Sequence, residues 1–229
     1  MMESFIQAGF NTTLCEFLIA DNTRGNQFEA YRALNRFLQE AQGRYIIVCH
    51  QDILINYDQE AVLKERISEL ERLDQRWGVA GNAGARDLYH MAMVITQNNT
   101  LIRKGNFPSK VISLDENFLL IKAEANLAVS GDMSGFHLYG TDICLIADCM
   151  GWNSYVIDFN ISHESSGRMN SSFHEISKQL QKKYQRVFRG RYIKTTITRF
   201  YLGSKWISWF MNLPLIKSIV RLFYKSRSY

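Results

Sequence analysis

The sequence predicts an α/β domain followed by a basic helical extension. Over the first two thirds, apolar runs that end in polar turns alternate with amphipathic segments, which is the pattern of an α/β domain. The charge is also unevenly distributed. All 22 acidic residues of the 229-residue chain fall at or before Glu175, whereas the segment from Lys178 to Arg227 has 13 basic residues and no acid. The extension is therefore expected to meet an anionic partner.

Composition excludes several other classes of protein. With 46% hydrophobic and 21% charged residues and only two prolines, the chain is neither disordered nor collagen-like. No apolar run reaches the roughly 18 residues that a membrane-spanning helix needs. Met1 leads directly into a mixed segment with Glu3, so no signal peptide is expected. The four cysteines lack paired metal-type spacing, which predicts reduced thiols of a cytosolic protein.

Each element is predicted from the spacing of its apolar residues. Helices are expected over Met2–Phe10, Phe28–Gln42, Glu60–Trp77, Thr141–Met150 and Glu175–Phe188. Strands are expected over Leu14–Ala20, Tyr45–Cys49, Trp77–Ala80, Val111–Ile121, Ser154–Phe159 and Tyr192–Thr198, with a small-residue turn over Gly81–Ala85. After Pro214 we expect an amphipathic helix. Its basic face holds Lys217, Arg221 and Lys225, and its apolar face holds Ile216, Ile219, Val220 and Phe223.

The segment most suggestive of chemistry follows the second predicted strand. The strand Tyr45–Cys49 leads directly into His50, Gln51 and Asp52. Open α/β sheets bind ligands beyond the carboxyl ends of their strands. A carboxylate at such a position can hold Mg²⁺ or Mn²⁺, with phosphate oxygens as further ligands. From these three residues alone, a polar turn without a ligand is the simpler interpretation.

Five sequence blocks favour a ligand site at this turn, because they occur in the order found in a known family. They are Asn22–Ile55, Trp77–Arg86, Ser113–Lys122, Phe136–Trp152 and Asp158–Gly167. Over about residues 10–167 the chain resembles glycosyltransferases of the GT-A fold, in the family 2-like bacterial branch in which HQD stands in place of DxD. The resemblance implies a nucleotide-sugar-binding α/β/α sandwich with a central mixed sheet in residues 1–167, and a basic, amphipathic extension in residues 168–229.

The resemblance also implies roles for individual residues. Those expected to contact the nucleotide sugar are Asp21, Asn22, Asn35, Gln51 and Asp115. Asp52 and His163 would hold Mn²⁺ or Mg²⁺ under the diphosphate, although a lone loop histidine is commonly a surface residue. Asp142 would take the proton of the acceptor hydroxyl; the alternative is a carboxylate that stabilises a helix N-terminus. Because Gly140 replaces an acidic residue of this motif, His137 and then Asp115 remain alternative bases.

The activity implied is transfer of a sugar, with inversion, from a nucleotide-diphosphate sugar to a saccharide or lipid-linked acceptor in bacterial surface polysaccharide synthesis. We expect a cytoplasmic enzyme at the inner face of the cytoplasmic membrane, with its extension on the anionic membrane surface and no nucleic acid as partner. The first strand of the family precedes the matched region. This chain begins in what resembles the helix after that strand, so the strand itself is missing. Its absence predicts either a reading frame that begins late or an inactive, GT-A-like binding or scaffold subunit. A nucleic-acid-binding protein is the third alternative, favoured by aromatic residues within the basic end.

Overall fold

A computed structural model describes residues 1–26, 28–163 and 171–225. It divides the chain into two compact units, Met1–Ser177 and Lys178–Tyr229. The domain boundary expected between residues 167 and 168 lies outside the described residues. The first unit contains helices and mixed sheets, so the predicted α/β class is confirmed.

Most predicted helices are present, with shifted ends. The helices are α1 (Met2–Gln7), α2 (Ala30–Glu40), α3 (Glu60–Leu73), α4 (Tyr139–Cys149) and α5 (Ser171–Val187). Helix α3 buries Leu63 and Leu70, as its apolar stripe predicts. It ends at Asp74 rather than at Trp77, because the fully buried Trp77 begins the next strand.

The strands of the first unit form two sheets. They are β1 (Tyr45–Cys49), β2 (Ile53–Leu54), β3 (Trp77–Gly81), β4 (Ala83–Ala85), β5 (Met91–Gln97), β6 (Thr100–Lys104), β7 (Ser109–Val111), β8 (Ser113–Leu114), β9 (Phe118–Lys122), β10 (Asn153–Val156) and β11 (Ile161–His163). Within the described residues, one sheet has the order β1-β9-β3-β10-β7, and it is mixed because only β3 and β10 are parallel. Every residue of β3 and β9 is buried, as expected of central strands covered on both faces.

The second sheet has the order β2-β11-β5-β4-β8, with β6 paired to β5. Two of its features differ from the sequence prediction. The turn expected over Gly81–Ala85 contains strand β4, which pairs with β5 and β8. The β5–β6 hairpin was not predicted from its apolar pattern. It turns through Asn98 and Asn99, both at positive φ, as a tight two-residue hairpin requires.

The strand predicted over Leu14–Ala20 is wrong. In the structure this segment is not a strand, and Leu14 and Ile19 are exposed. Strand β1 pairs with β9, and the segment pairs with no strand among the described residues. An apolar run becomes a strand only where a neighbour supplies hydrogen-bond partners, and sequence composition does not show whether such a neighbour exists.

The hydrophobic core fixes the turn that follows β1. Ile53 and Ile55 are buried directly after Asp52 and join a cluster to which α1, α3 and both sheets contribute. Its buried aromatic members are Phe5, Phe10, Trp77, Phe118, Tyr155 and Phe159. The polar turn is therefore anchored on both sides, by β1 before it and by two buried isoleucines after it.

The second unit contains a hairpin and two helices after the end of α5. Strands β12 (Arg191–Lys194) and β13 (Arg199–Leu202) pair in antiparallel fashion, so the predicted strand over Tyr192–Thr198 ends early, at Lys194. Helices α6 (Lys205–Met211) and α7 (Pro214–Lys225) follow. Among the described residues, no helix combines the length and hydropathy needed to cross a membrane.

Candidate metal centre

The turn after β1 brings Asp52 to the last strand of the second sheet. The backbone N–H of Ile53 donates to the carbonyl oxygen of His50 at 3.3 Å, which closes the turn. The short strand β2 then pairs with β11 so that Ile53 lies opposite His163. This register places Asp52 beside His163, although the two residues are far apart in the sequence.

Three side chains meet there with metal-ligating atoms. Nε2 of His163 lies 3.3 Å from Oδ2 of Asp52, and the His163 side chain is only 7% exposed. One ligand atom each of His50, Asp52 and His163 can be chosen so that all three lie within 4.8 Å of one another. Mg²⁺ prefers oxygen ligands, whereas imidazole nitrogens suit softer divalent metals. Two imidazoles and one carboxylate therefore fit Mn²⁺ better than Mg²⁺.

A neighbouring glutamine supports His163. Strand β5 is parallel to β11 and pairs Gln97 with His163. The two side chains approach at 3.3 Å, between Nε2 of Gln97 and Nδ1 of His163. The amide nitrogen of Gln97 can only donate, so Nδ1 of His163 is the acceptor, and the contact fixes the orientation of the ring. Sequence reasoning missed Gln97, because only the register of β5 and β11 reveals it.

His50 is held from the opposite side by the first residue of α4. Its Nε2 lies 2.7 Å from the hydroxyl oxygen of the buried Tyr139. Burial lowers the pKa of His50 below its ordinary value, and the nearby Asp52 and Asp115 carboxylates only partly oppose this effect. The imidazole is therefore neutral at neutral pH, which is the form that binds a metal.

A second acidic group lies beneath the same helix. The Glu116 carboxylate accepts the backbone N–H groups of Leu138 and Gly140 at the start of α4. Burial, together with the adjacent Asp115, raises the pKa of Glu116 to about 7. The hydroxyl of Tyr139 in turn donates to the Glu116 carbonyl oxygen at 3.4 Å. Glu116 was not predicted from the sequence, because nothing in the run SLDENF distinguishes a half-buried glutamate from an exposed one.

The raised pKa of Glu116 predicts a pH dependence of stability. An acid whose pKa rises on folding stabilises the native state fully below its unfolded pKa of about 4.5 and loses that contribution as the pH passes about 7. We expect Glu116→Gln, which keeps an acceptor for the two amides, to match the wild type near pH 4.5. Above pH 7 it should be more stable, by up to about 3 kcal/mol. Urea unfolding across this range tests the prediction, and parallel curves for the two proteins would contradict it.

Asp115 and His137 lie near the cluster, and each leaves surface open to solvent. Asp115 is exposed, and its charge affects the pKa values of both His50 and Glu116. His137 is half-buried, with its ring centroid 5.7 Å from that of Phe173. Its charge also affects His50. Both side chains therefore lie within electrostatic range of His50 and are accessible to a substrate from solvent.

Asp142 occupies a different environment from the one expected of a catalytic base. Its side chain is fully buried in α4, and its carboxylate accepts the backbone N–H of Ser130 at 2.7 Å and the Ser130 hydroxyl at 2.6 Å. It leaves no surface for an acceptor to contact in this structure. These contacts indicate that the carboxylate holds the loop before α4 in place.

The contacts of Asp142 predict a loss of stability on truncation. Asp142→Ala leaves two buried donors of Ser130 without their acceptor, which is expected to cost about 3 kcal/mol. Asp142→Asn keeps an acceptor oxygen, so its free energy of unfolding should fall by less than that of Asp142→Ala. Chemical denaturation measures both values, with Ser130→Ala closing a double-mutant cycle. An unfolding free energy unchanged in Asp142→Ala would show that the carboxylate has no such role.

Residue 140, where the resemblance implied an acidic residue, has a steric reason to be glycine. A Cβ atom at this position would lie 2.5 Å from the carbonyl oxygen of Leu114. Because β8 backbone approaches the start of α4 so closely, no acidic side chain fits at residue 140 unless one element shifts.

The residues expected to bind the nucleotide are distributed over the surface of the first unit. Asp21 is exposed in a turn, where the hydroxyl and backbone N–H of Thr23 lower its pKa. The Asn22 side chain donates to the carbonyl oxygen of Phe28 and accepts its N–H. Asn35 bonds the backbone of Val129 in the same two-way manner, at 2.8 and 3.0 Å. Gln51 is exposed beside Asp52.

Comparison with known proteins gives one close relative in sequence. The chain is 38% identical, over 216 residues, to a Fuscovulum blasticum protein named ATP synthase subunits region ORF 6; the match covers 90% of this chain and 86% of the relative. No family model matches the chain. The crystal structure of A197 from STIV resembles 60% of this chain and 75% of its own, with 13% identity and a TM-score of 0.33. A structural likeness at that level carries no argument about function.

Proposed function

We propose that this chain, which belongs to the same family as the Fuscovulum blasticum ATP synthase subunits region ORF 6 protein, is a metal-dependent glycosyltransferase with a GT-A-type first unit. The name of the relative describes a gene region and gives no activity, so the proposal stands on the residues of this chain.

One observation carries the proposal. The two residues that the family resemblance assigns to the metal, Asp52 and His163, come from distant sequence blocks and meet at 3.3 Å. They do so in the polar turn that directly follows strand β1. His50 completes a set of ligands that suits Mn²⁺.

The residues around the centre suit transfer from a nucleotide-diphosphate sugar. His50, Asp52 and His163 would hold Mn²⁺, which when bound supplies positive charge to the departing diphosphate. The acceptor hydroxyl oxygen forms the new bond to the anomeric carbon while the bond from that carbon to the diphosphate oxygen breaks. Asp115 is the proposed base that takes the hydroxyl proton, because it is an exposed carboxylate beside the cluster. His137 is the alternative, whereas Asp142 is buried.

The proposed acceptor is a saccharide or a lipid-linked sugar of a bacterial surface polysaccharide, reached at the inner face of the cytoplasmic membrane. The donor would be recognised through its diphosphate at the metal centre. Asp21, Asn22, Asn35 and Gln51 remain the predicted contacts for the rest of the nucleotide sugar.

The proposal is tested by release of nucleoside diphosphate from a panel of uridine, guanosine and thymidine diphosphate sugars, with Mn²⁺ and with a chelator. We expect slow hydrolysis of at least one donor, dependent on Mn²⁺ and accelerated by a suitable saccharide. Metal-dependent binding of a donor without release, even with a broad set of acceptors, would instead favour the inactive binding subunit. Absence of both binding and release would contradict the proposal.

A further inference from the structure

The second unit contains a cleft in which positive charges crowd one another. The cleft has a volume of about 830 Å³ and lies between the β12–β13 hairpin and α7. Four basic residues line it, namely Lys194, Arg199, Lys217 and Arg221. The remaining lining residues are four with aliphatic hydroxyls, Thr195, Thr196, Thr198 and Ser218, together with Tyr192, Ile193, Ile197 and Val220.

The arrangement of these cations is unfavourable in the absence of an anion. Lys194 lies directly opposite Arg199 in the hairpin, and like charges at such a position destabilise a sheet. Lys217 and Arg221 are four residues apart on α7, where like charges again repel. The ammonium group of Lys217 also lies 3.4 Å from the carbonyl oxygen of Arg199. This contact brings the basic pair of α7 close to the basic pair of the hairpin.

The unit has no acidic residue of its own to relieve this repulsion. The sequence from Lys178 to Arg227 contains no aspartate or glutamate. A phosphate group in the cleft would supply the missing negative charge, because it accepts several hydrogen bonds from lysine, arginine and hydroxyl donors at once.

Exposed apolar and aromatic side chains of the second unit indicate that this phosphate belongs to a lipid. Ile197, in the hairpin turn that lines the cleft, is 94% exposed. On α6, Trp206 and Trp209 are 79% and 65% exposed. Tryptophan prefers the boundary between lipid headgroups and acyl chains, and exposed aliphatic residues beside basic ones favour interfacial binding.

Helix α7 adds an exposed apolar stripe that differs from the predicted one. Its exposed members, at helical spacing, are Leu215, Ile219, Leu222 and Phe223. Ile216 and Val220, expected on the apolar face, are instead half-buried, and Val220 lines the cleft. Leu215, Ile219 and Leu222 do not line the cleft, and their spacing places them on the opposite face of α7 from Lys217 and Arg221.

We propose that the cleft lined by Lys194, Arg199, Lys217 and Arg221 binds the phosphate headgroup of an anionic phospholipid, while Ile197 and the α6 tryptophans enter the membrane interface. The inference extends the proposed function by assigning the membrane contact of the enzyme. Lipid binding is measured in the absence of any sugar donor. A failure of lipid binding therefore leaves the proposed sugar transfer untouched, and a failure of sugar transfer leaves the lipid site untouched.

Co-sedimentation of the full chain with vesicles tests this binding. The vesicles are phosphatidylcholine alone and phosphatidylcholine mixed with phosphatidylglycerol. We expect strong binding to the mixed vesicles only, weakened by salt. Lys194→Gln combined with Arg221→Gln, both at exposed positions, should reduce partitioning at least about tenfold, since each basic residue near an anionic surface contributes about 1 kcal/mol.

The matched control removes the same charge outside the cleft. Lys182→Gln combined with Arg186→Gln, at exposed positions of α5, should reduce partitioning less than about threefold. Equal losses in the two double variants would overturn the headgroup site, as would equal binding to neutral vesicles. Binding of inorganic phosphate by the full chain, without partitioning onto the mixed vesicles, would assign the cleft to a soluble anion and overturn the lipid proposal.

Discussion

Replacement of Asp52 by asparagine is expected to weaken Mn²⁺ binding by more than about 100-fold. The variant removes the carboxylate among the three candidate ligands, whereas loss of a mere supporting contact typically costs 10–100-fold in metal affinity. Asp52 is only partly buried, so the isosteric change should leave the fold intact. Titration of Mn²⁺ followed by electron paramagnetic resonance measures the affinity directly, without any substrate.

Asp148→Asn provides the matched control for this experiment. Asp148 is an exposed aspartate on α4 and is not one of the three candidate ligands. The Asp148→Asn variant should bind Mn²⁺ with the affinity of the wild type. If Asp52→Asn retains wild-type affinity, or if Asp148→Asn loses as much, the metal is not held by the turn after β1.

Replacement of Asp115 by asparagine is expected to slow sugar transfer by about 10²–10⁴-fold while donor affinity stays close to that of the wild type. The proposed base acts on the acceptor hydroxyl, so its loss should appear in kcat more than in binding of the donor. Asp115 is exposed, and its Oδ1 accepts the backbone N–H of Asn117, a contact that asparagine can keep. Steady-state kinetics with saturating donor measure the effect.

His137→Gln separates the two candidate bases. If Asp115 is the base, His137→Gln should change kcat by less than about tenfold. A loss confined to His137→Gln would move the role to that residue. Equal losses of kcat and donor affinity in Asp115→Asn would indicate a positioning role in the donor site instead.

Local pattern was sufficient to predict the elements that surround the candidate site. Strand β1 and the turn at Asp52 follow from a short apolar run and the polar residues that end it. Helix α3 follows from its apolar spacing, although the end at Asp74 depended on the burial of Trp77. Leu14–Ala20 has strand-like composition but no neighbouring strand in the described part of the chain, and only the assembled sheet shows that.

The interior of the candidate site could not be predicted in the same way. The contacts of Gln97 with His163 and of Tyr139 with His50 depend on strand register and on where α4 begins. The burial of Asp142 could not be predicted either, because its partner Ser130 lies in a loop whose sequence has no periodic pattern. Residue type identifies which side chains can perform chemistry, whereas packing decides which of them a substrate can reach.

The central claim, metal-dependent binding of a nucleotide diphosphate at His50, Asp52 and His163, is tested most directly by thermal denaturation. The full chain is heated with uridine or guanosine diphosphate, with Mn²⁺, and with both together. The proposed site predicts a marked rise in Tm for one diphosphate only when Mn²⁺ is also present, and no such rise in Asp52→Asn. An equal rise without the metal, or an undiminished rise in Asp52→Asn, would contradict the claim.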